Sequence, residues 1–245
     1  MLRFRVVDSH LPLGDQVDWQ PARTPERGEL RGNHVVLRPI DADRDAAQLF
    51  ALSHAPRGDP AIWTYLPDGP YESPDQMRQM LAWAETSEDP LYFALAPLPD
   101  EQPQGIASYL RVTPQFGVIE IGHIWFGVSL QRTTGATVAI YLLACNAFDY
   151  LGYRRLEWKC NVLNSASRRA AERFGFSFEG VFRKHQIVKG RNRDTAWYAI
   201  TDEQWPAIRD GFEAWLAPAN MGREARQKRA LGELIDEARL TSSDR

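Results

Sequence analysis

The chain has 245 residues, 44% of them hydrophobic and 25% charged, enough apolar material for a sizeable core and too much for a disordered chain. Lys and Arg number 29 against 32 Asp and Glu, a net charge of -3, so the basic surplus that a phosphate backbone demands is missing and no nucleic-acid partner is expected. Only Cys145 and Cys160 carry thiols, which excludes a disulfide framework and a four-thiolate metal site, and favours a reducing, cytoplasmic setting without a metal.

Residues 1–31 scatter Pro12, Pro21, Pro25, Gly14 and Gly28 among charges and predict an arm lying on, or trailing from, a domain. No apolar run there has signal-peptide character, and no later run is long and uninterrupted enough for a membrane span. His34 to Ile40 reads as a strand, after which Asp41 or Asp43 caps a helix with Ala46, Leu49 and Phe50 inward. Ser73 and Pro74 form an N-cap and first-turn pair, and Met77, Met80, Leu81 and Ala84 follow at helical spacing, ending near Thr86. Leu91 to Ala96, Gly105 to Val112 and Val118 to Phe126 then read as an antiparallel meander.

Gly135 to Leu151 is apolar almost all round, which predicts a buried central helix closed at Gly152. Arg155 to Cys160 alternates strictly, with Leu156, Trp158 and Cys160 on one face and Arg155, Glu157 and Lys159 on the other. Asn164 caps a short helix to Phe174, and strands Phe178 to Val188 and Thr195 to Ile200 are joined by a reversal through KGRNRD. The order is β-α-α-β-β-β-α-β-α-β-β. This divides the chain into an arm (1–31), a domain (32–202) and a partly helical C-terminal extension (203–245) in which Trp205 and Trp215 cover the domain. Leu231, Leu234, Ile235 and Ala238 in the tail have helical spacing, read either as a partner or homodimer helix or, preferably, as a locally packed one.

The chemistry concentrates where the strand IEIGHIWF runs through Gly127 into a polar loop, Gln131-Arg132-Thr133-Thr134-Gly135-Ala136, that opens the apolar helix. Small residues at a helix start leave amide N–H groups free, and the helix dipole adds to their pull on an anion. Loop, preceding Glu-bearing strand, Asn164 with Ser167, and Phe174-Gly175-Phe176 lie in the order and spacing of the GNAT acyltransferases, and the resemblance covers residues 32–202. Gln131 to Ala136 looks like the family's Q/R-x-x-G-x-G/A loop for the pyrophosphate of acetyl-CoA, with Thr134 at the first glycine; an alternative register starts at Arg132. Glu120-Ile121-Gly122-His123, Thr137-Val138-Ala139 and Asn164-x-x-Ser167 resemble the ribosomal-protein N-terminal acetyltransferase branch of the RimJ/RimL type.

The resemblance implies an α+β fold, a mixed and mostly antiparallel seven-stranded sheet flanked by about four helices and splayed beside the strand ending at Phe126. It implies acetyl-CoA (coenzyme A) as cofactor, bound by Trp125, Phe126, Gln131, Arg132, Thr133, Thr134, Gly135, Ala136, Asn161, Asn164 and Ser167. The acceptor would be a small-molecule or peptide amine, with Trp63, Tyr65 and His123 shaping its pocket within the aromatic-rich stretch Ile62 to Tyr71 and on the strand.

Acyl transfer to an amine requires that the ammonium lose a proton and that the departing thiolate be protonated or stabilised. Glu120 is the lone carboxylate between Glu101 and Asp149, and burial in an apolar strand would raise its pKa, so it is either the general base or a structural glutamate. His123, three residues on, belongs to the opposite face of a regular strand and either shapes the substrate pocket or is structural. Ala171 stands where many family members carry a tyrosine acid, which leaves Ser167 or a water to assist the thiolate ahead of Tyr150 or Tyr153. Cys160 is not read as a nucleophile. The competing class is a non-catalytic acyl-CoA-binding module.

Overall fold

The structure, a computed structural model, describes residues 11–222 and 227–243. The first ten residues of the expected arm lie outside it. Strands β1 (Leu30–Arg31), β2 (Val35–Pro39), β3 (Leu91–Pro97), β4 (Gly105–Thr113), β5 (Val118–Phe126), β6 (Arg155–Asn161), β7 (Ser177–Val188) and β8 (Arg191–Thr201) form one sheet in the order β1-β2-β3-β4-β5-β6-β8-β7. Every neighbouring pair is antiparallel except β5 and β6. The helices are α1 (Ala42–Ser53), α2 (Pro74–Thr86), α3 (Thr134–Cys145), α4 (Ser165–Arg173), α5 (Trp205–Leu216) and α6 (Leu231–Ser243). The eighth strand is the two-residue β1, and the helices beyond the expected four are α5 and α6, in the extension.

The sheet separates two cores. On one side Leu91, Phe93, Leu95, Ile119, Ile121, Leu156 and Trp158 pack under α3, α5 and α6. On the other Tyr92, Ala94, Ile106 and Trp125 meet Leu49, Trp63, Met77 and Leu81 from α1, α2 and their connection. Covering both faces explains why β3 reads LYFALA without polar alternation. The helix caps are those the sequence predicts: Asp41, Ser73 and Asn164 accept from the amides of Arg44, Gln76 and Ser167.

Two departures from the sequence reading have local causes. The central helix leaves α geometry after Cys145 and closes through a π-helical turn, Asn146–Tyr150. Tyr109 in β4 donates its hydroxyl hydrogen to the Leu143 carbonyl and accepts from the Asn146 amide, inserting a side chain into the helical ladder. Second, β8 begins at Arg191 rather than Thr195. Lys189 and Gly190 have φ of 49° and 71°, the two left-handed residues of a tight hairpin, so Arg191 to Arg193 pair with Val188 to Gln186 instead of forming a loop. Of the two placements open to the arm, its described part takes the first and lies on the domain: Ala22 and Arg23 donate backbone hydrogen bonds to Pro114 and Leu151.

The tail helix is locally packed. Leu231, Leu234 and Ile235 are buried in the first core, and a Cβ on Gly211 of α5 would lie 2.7 Å from the Ile235 Cα, a contact only glycine permits. No described helix is long and apolar enough to cross a membrane.

A buried ion pair ties β2 to α1. Arg38 donates two 2.8 Å hydrogen bonds to the fully buried Asp45 carboxylate. Burial alone would raise the Asp45 pKa, but hydrogen bonds from Arg38, Arg44 and the Asp41 amide outweigh it and hold the carboxyl below its ordinary value. Asp45→Asn strands the guanidinium and should cost about 3–5 kcal/mol at neutral pH. The pair's contribution is complete above about pH 4, where the unfolded chain is ionised too, and is lost as pH falls through the lower folded-state pKa. Thermal melts of wild type and variant should therefore converge in acid; a constant gap, or one under about 1 kcal/mol, contradicts the assignment.

Candidate active site

Pairing between the parallel strands β5 and β6 covers Val118 with Arg155, Ile119 with Leu156 and Glu120 with Glu157, and then stops. Beyond that point the strands separate around a cavity of about 220 Å³, with Glu120 to Ile124 on one wall and Trp158 to Asn161 on the other. Asn164 and Ser167 at the start of α4, Tyr65 from the α1–α2 connection, Arg111 of β4, and Gln186 and Arg193 from the β7–β8 hairpin also line it.

Glu120 sits at the apex of the fork, 3% exposed. Its Oε2 accepts from Arg111 at 2.7 Å and pairs with Lys159 Nζ at 2.9 Å. Lys159 also reaches Glu157 at 2.6 Å and lies 3.8 Å from the Trp197 ring centre. Among the described residues no hydrogen bond engages Glu120 Oε1, which faces Gly122: a Cβ there would sit 3.4 Å from it. Burial pushes the Glu120 pKa up, Lys159 and Arg111 pull it back, and the net shift is upward. The carboxylate is thus anchored through one oxygen and open through the other.

His123 is brought onto the same face as Glu120, contrary to the expectation from a regular strand. Opposite Ile106 to Ser108 of β4, the β5 register jumps from Trp125 to Gly122, and His123 takes φ 47°. The extra residue of this bulge reverses the alternation, so His123 lines the cavity and its Nδ1 lies 3.1 Å from the Tyr92 hydroxyl. Burial lowers its pKa and keeps the ring neutral.

Of the aromatic stretch, Tyr65 reaches the cavity and donates to the Leu163 carbonyl, bracing the connection against the β6–α4 turn. Trp63, also expected in the pocket, is instead 2% exposed in the second core. Its indole N–H is taken by the Ser53 carbonyl, and Tyr71 and Trp125 close around it with ring centres 5.2 and 5.8 Å away. Gly69, at φ 66°, leaves the space that its rings fill.

The polar loop enters α3 with Arg132 at φ 61°. Thr133 caps the helix, its Oγ1 accepting from Ala136, while the amides of Arg132, Thr134 and Gly135 have no hydrogen-bond partner among the described residues. The Gln131 side chain folds back and donates to the Phe126 carbonyl, and Thr134 Oγ1 accepts from Gln227. Phe126 and Trp125 pair with Gly105 and Ile106 on one side and, among the described residues, meet no strand on the other. The loop thus presents backbone donors, and its Gln131 side chain braces the strand end.

On the opposite wall Asn164 caps α4, and Ser167 Oγ accepts from the Trp158 indole at 3.0 Å, leaving its own proton to donate. Asn161 Oδ1 accepts from Leu163 and shapes the turn. Burial raises the Cys160 thiol, which keeps it unreactive. Ala171 is fully buried and contributes no acid. Sequence reasoning missed Arg111, Lys159 and Arg193 as site residues. Lys159 was legible as the polar face of an alternating strand, whereas Arg193 was concealed by reading KGRNRD as a loop.

A family model for the acetyltransferase (GNAT) domain matches residues 34–177. No curated protein matches the chain. Among solved structures, a GCN5-related N-acetyltransferase from Brucella melitensis is 42% identical with a TM-score of 0.85, over 89% of this chain and 99% of that one. A probable GNAT-family acetyltransferase from Chromobacterium violaceum ATCC 12472 is 39% identical with a TM-score of 0.72, over 82% and 99%. At 20% identity and a TM-score of 0.60, over 73% and 98% of the chains, the fold is also that of the microcin C7 self-immunity acetyltransferase MccE, solved with acetyl-CoA and AMP. By the family model and by the two relatives at 42% and 39% identity, the chain belongs to the GNAT family of acetyltransferases.

Proposed function

We propose that the protein is an acetyl-CoA-dependent N-acetyltransferase of the RimJ/RimL type, transferring acetyl to a primary amine by direct attack in a ternary complex. The observation that carries this reading is the alignment of three features along one gap. Free amides lie at the start of α3, the β5 edge is unpaired beyond Glu120, and a buried carboxylate with one open oxygen sits at the fork. A non-catalytic binding module has no use for the third.

The donor set fits acetyl-CoA. The amides of Arg132, Thr134 and Gly135, backed by the α3 dipole, take the pyrophosphate, with Gln131, Thr133 and Ala136 shaping the loop. The β5 edge near Trp125 and Phe126 pairs with the pantetheine amides as a strand would, and Asn161 and Asn164 border the opposite wall. Bound there, the cofactor supplies an acetyl group activated as a thioester. Glu120 Oε1 accepts the proton of the incoming ammonium, directly or through one water, while Arg111 and Lys159 fix the carboxylate's orientation. An upward-shifted pKa brings this base nearer to the ammonium's and makes the proton transfer less uphill. Ser167, its oxygen held by Trp158, directs its hydroxyl hydrogen toward the departing sulfur. Neutral His123 and Tyr65 border the acceptor.

Gly135→Pro tests the anion site. Proline is tolerated in the first helical turn but lacks the N–H, so calorimetry should show a steep loss of acetyl-CoA affinity. Gly135→Ala keeps the N–H, and its Cβ meets nothing nearer than 3.4 Å, so it should bind normally. Equal affinities would contradict the loop assignment.

Glu120→Gln tests the base. It keeps shape and can still accept from Lys159 and Arg111 but cannot take the proton, so kcat should fall by roughly 10²- to 10⁴-fold with acetyl-CoA affinity near normal. In wild type the rate falls as pH drops through the Glu120 pKa, and that acidic limb should vanish in the variant. More than half of wild-type kcat, with the limb intact, would reduce Glu120 to an anchor and make His123 the better base.

A further inference from the structure

Resting on the acetyltransferase reading, we propose that the acceptor is a small amine that carries a carboxylate, an amino acid or close analogue, and that the Arg193 guanidinium holds that carboxylate. Arg193 projects from β8 opposite Gln186 of β7, and both line the cavity. Its Nε is buried without a hydrogen-bond partner. No hydrogen bond or ion pair engages its side chain anywhere among the described residues, although burial works against its charge. Cations with more deeply buried side chains are satisfied: Arg38 by Asp45, and Lys159 by Glu120 and Glu157. Glu120 acts on it only at a distance; a partly buried guanidinium without a hydrogen-bonded counter-ion is costly, and its planar fork of donors matches a carboxylate.

The balance of charge around the cavity points the same way. Arg111, Lys159 and Arg193 face it against one lining carboxylate, Glu120, with Glu157 behind Lys159, which still leaves one cation in excess. Asp68, whose charge acts on His123, is not among the lining residues and accepts from the Tyr71 hydroxyl. An acceptor bearing only ammonium groups, such as a polyamine, would enter a net positive site. An amino-carboxylate brings one charge for Glu120 and one of opposite sign for Arg193. At about 220 Å³ the cavity is smaller than the roughly 300–1,000 Å³ of pockets for drug-sized ligands. Its remaining wall, Ile62, Leu66, Pro67 and Leu110, suits a short hydrocarbon side chain.

The test is thiol release from acetyl-CoA by the full chain with matched acceptors: leucine against 3-methylbutylamine, phenylalanine against 2-phenylethylamine. Wild type should favour each acid over its amine in kcat/KM by roughly ten- to a hundredfold, the range of a charge-assisted hydrogen bond. Arg193→Met should collapse that ratio through the acceptor's KM, and Arg193→Lys should restore part of it. Equal use of acids and amines by wild type overturns the proposal whether or not the variants fold. So does a variant that keeps the ratio, or one whose defect lies in the KM for acetyl-CoA. Turnover of the amines alone overturns the substrate class and leaves the acetyltransferase reading standing, whereas no release with any acceptor sinks both.

Discussion

The parallel pairing of β5 with β6 lasts three residues, and at its end three charges meet: Glu120 on one strand, Glu157 beside it on the other, and Lys159 bridging both. Two carboxylates on adjacent buried strands would repel each other without the ammonium between them, and the ammonium would not be buried without the carboxylates. Their mutual neutralisation lets polar groups occupy a position where the sheet is covered on both faces. The strands part just past this cluster, so the constraint that closes the sheet at one end also places the candidate base at the mouth of the gap.

The two cores then divide the remaining work. Under α3, α5 and α6 the sheet is held by dense apolar packing, and α3 delivers its N-terminus to the end of β5. Across the sheet, α1, α2 and their aromatic connection pack around Trp63 and Trp125 and carry Tyr65 to the cavity. The β5 bulge connects the two functions. One additional residue opposite β4 turns His123 onto the face of Glu120, giving that wall two titratable groups, one ionisable near the cations and one held neutral.

Much of this fold was legible because local signals and tertiary demands agree. Capping residues at Asp41, Ser73 and Asn164 mark real helix starts, and the alternation of Arg155 to Cys160 marks a real strand face. The element order follows from such signals alone. What stayed hidden involves contacts between distant segments. The π-helical turn depends on Tyr109 from another strand. Bulge and positive φ at His123 arise from register against β4, which no pattern within IEIGHIWF encodes. Trp63 and Tyr65 are two residues apart and look equivalent in sequence, yet one fills a core and the other a cavity wall. Lys189-Gly190 was a readable hairpin signal diluted by the polar residues after it, and that dilution removed Arg193 from view. Of the candidate site, Glu120, Ser167, Asn161, Asn164, Tyr65 and His123 converge on one cavity, while the cations that set its charge were not anticipated.

The central claim is that the gap between β5 and β6, with the loop that opens α3, is the cofactor site. Hydrogen exchange of the full chain with and without saturating acetyl-CoA reads the proposed donors directly, because the amides of Arg132, Thr134 and Gly135 have no partner among the described residues. The account predicts new protection centred on residues 131–136 and on the β5 edge between Ile121 and Phe126. Protection elsewhere on the sheet, with these segments exchanging as fast as before, would contradict it.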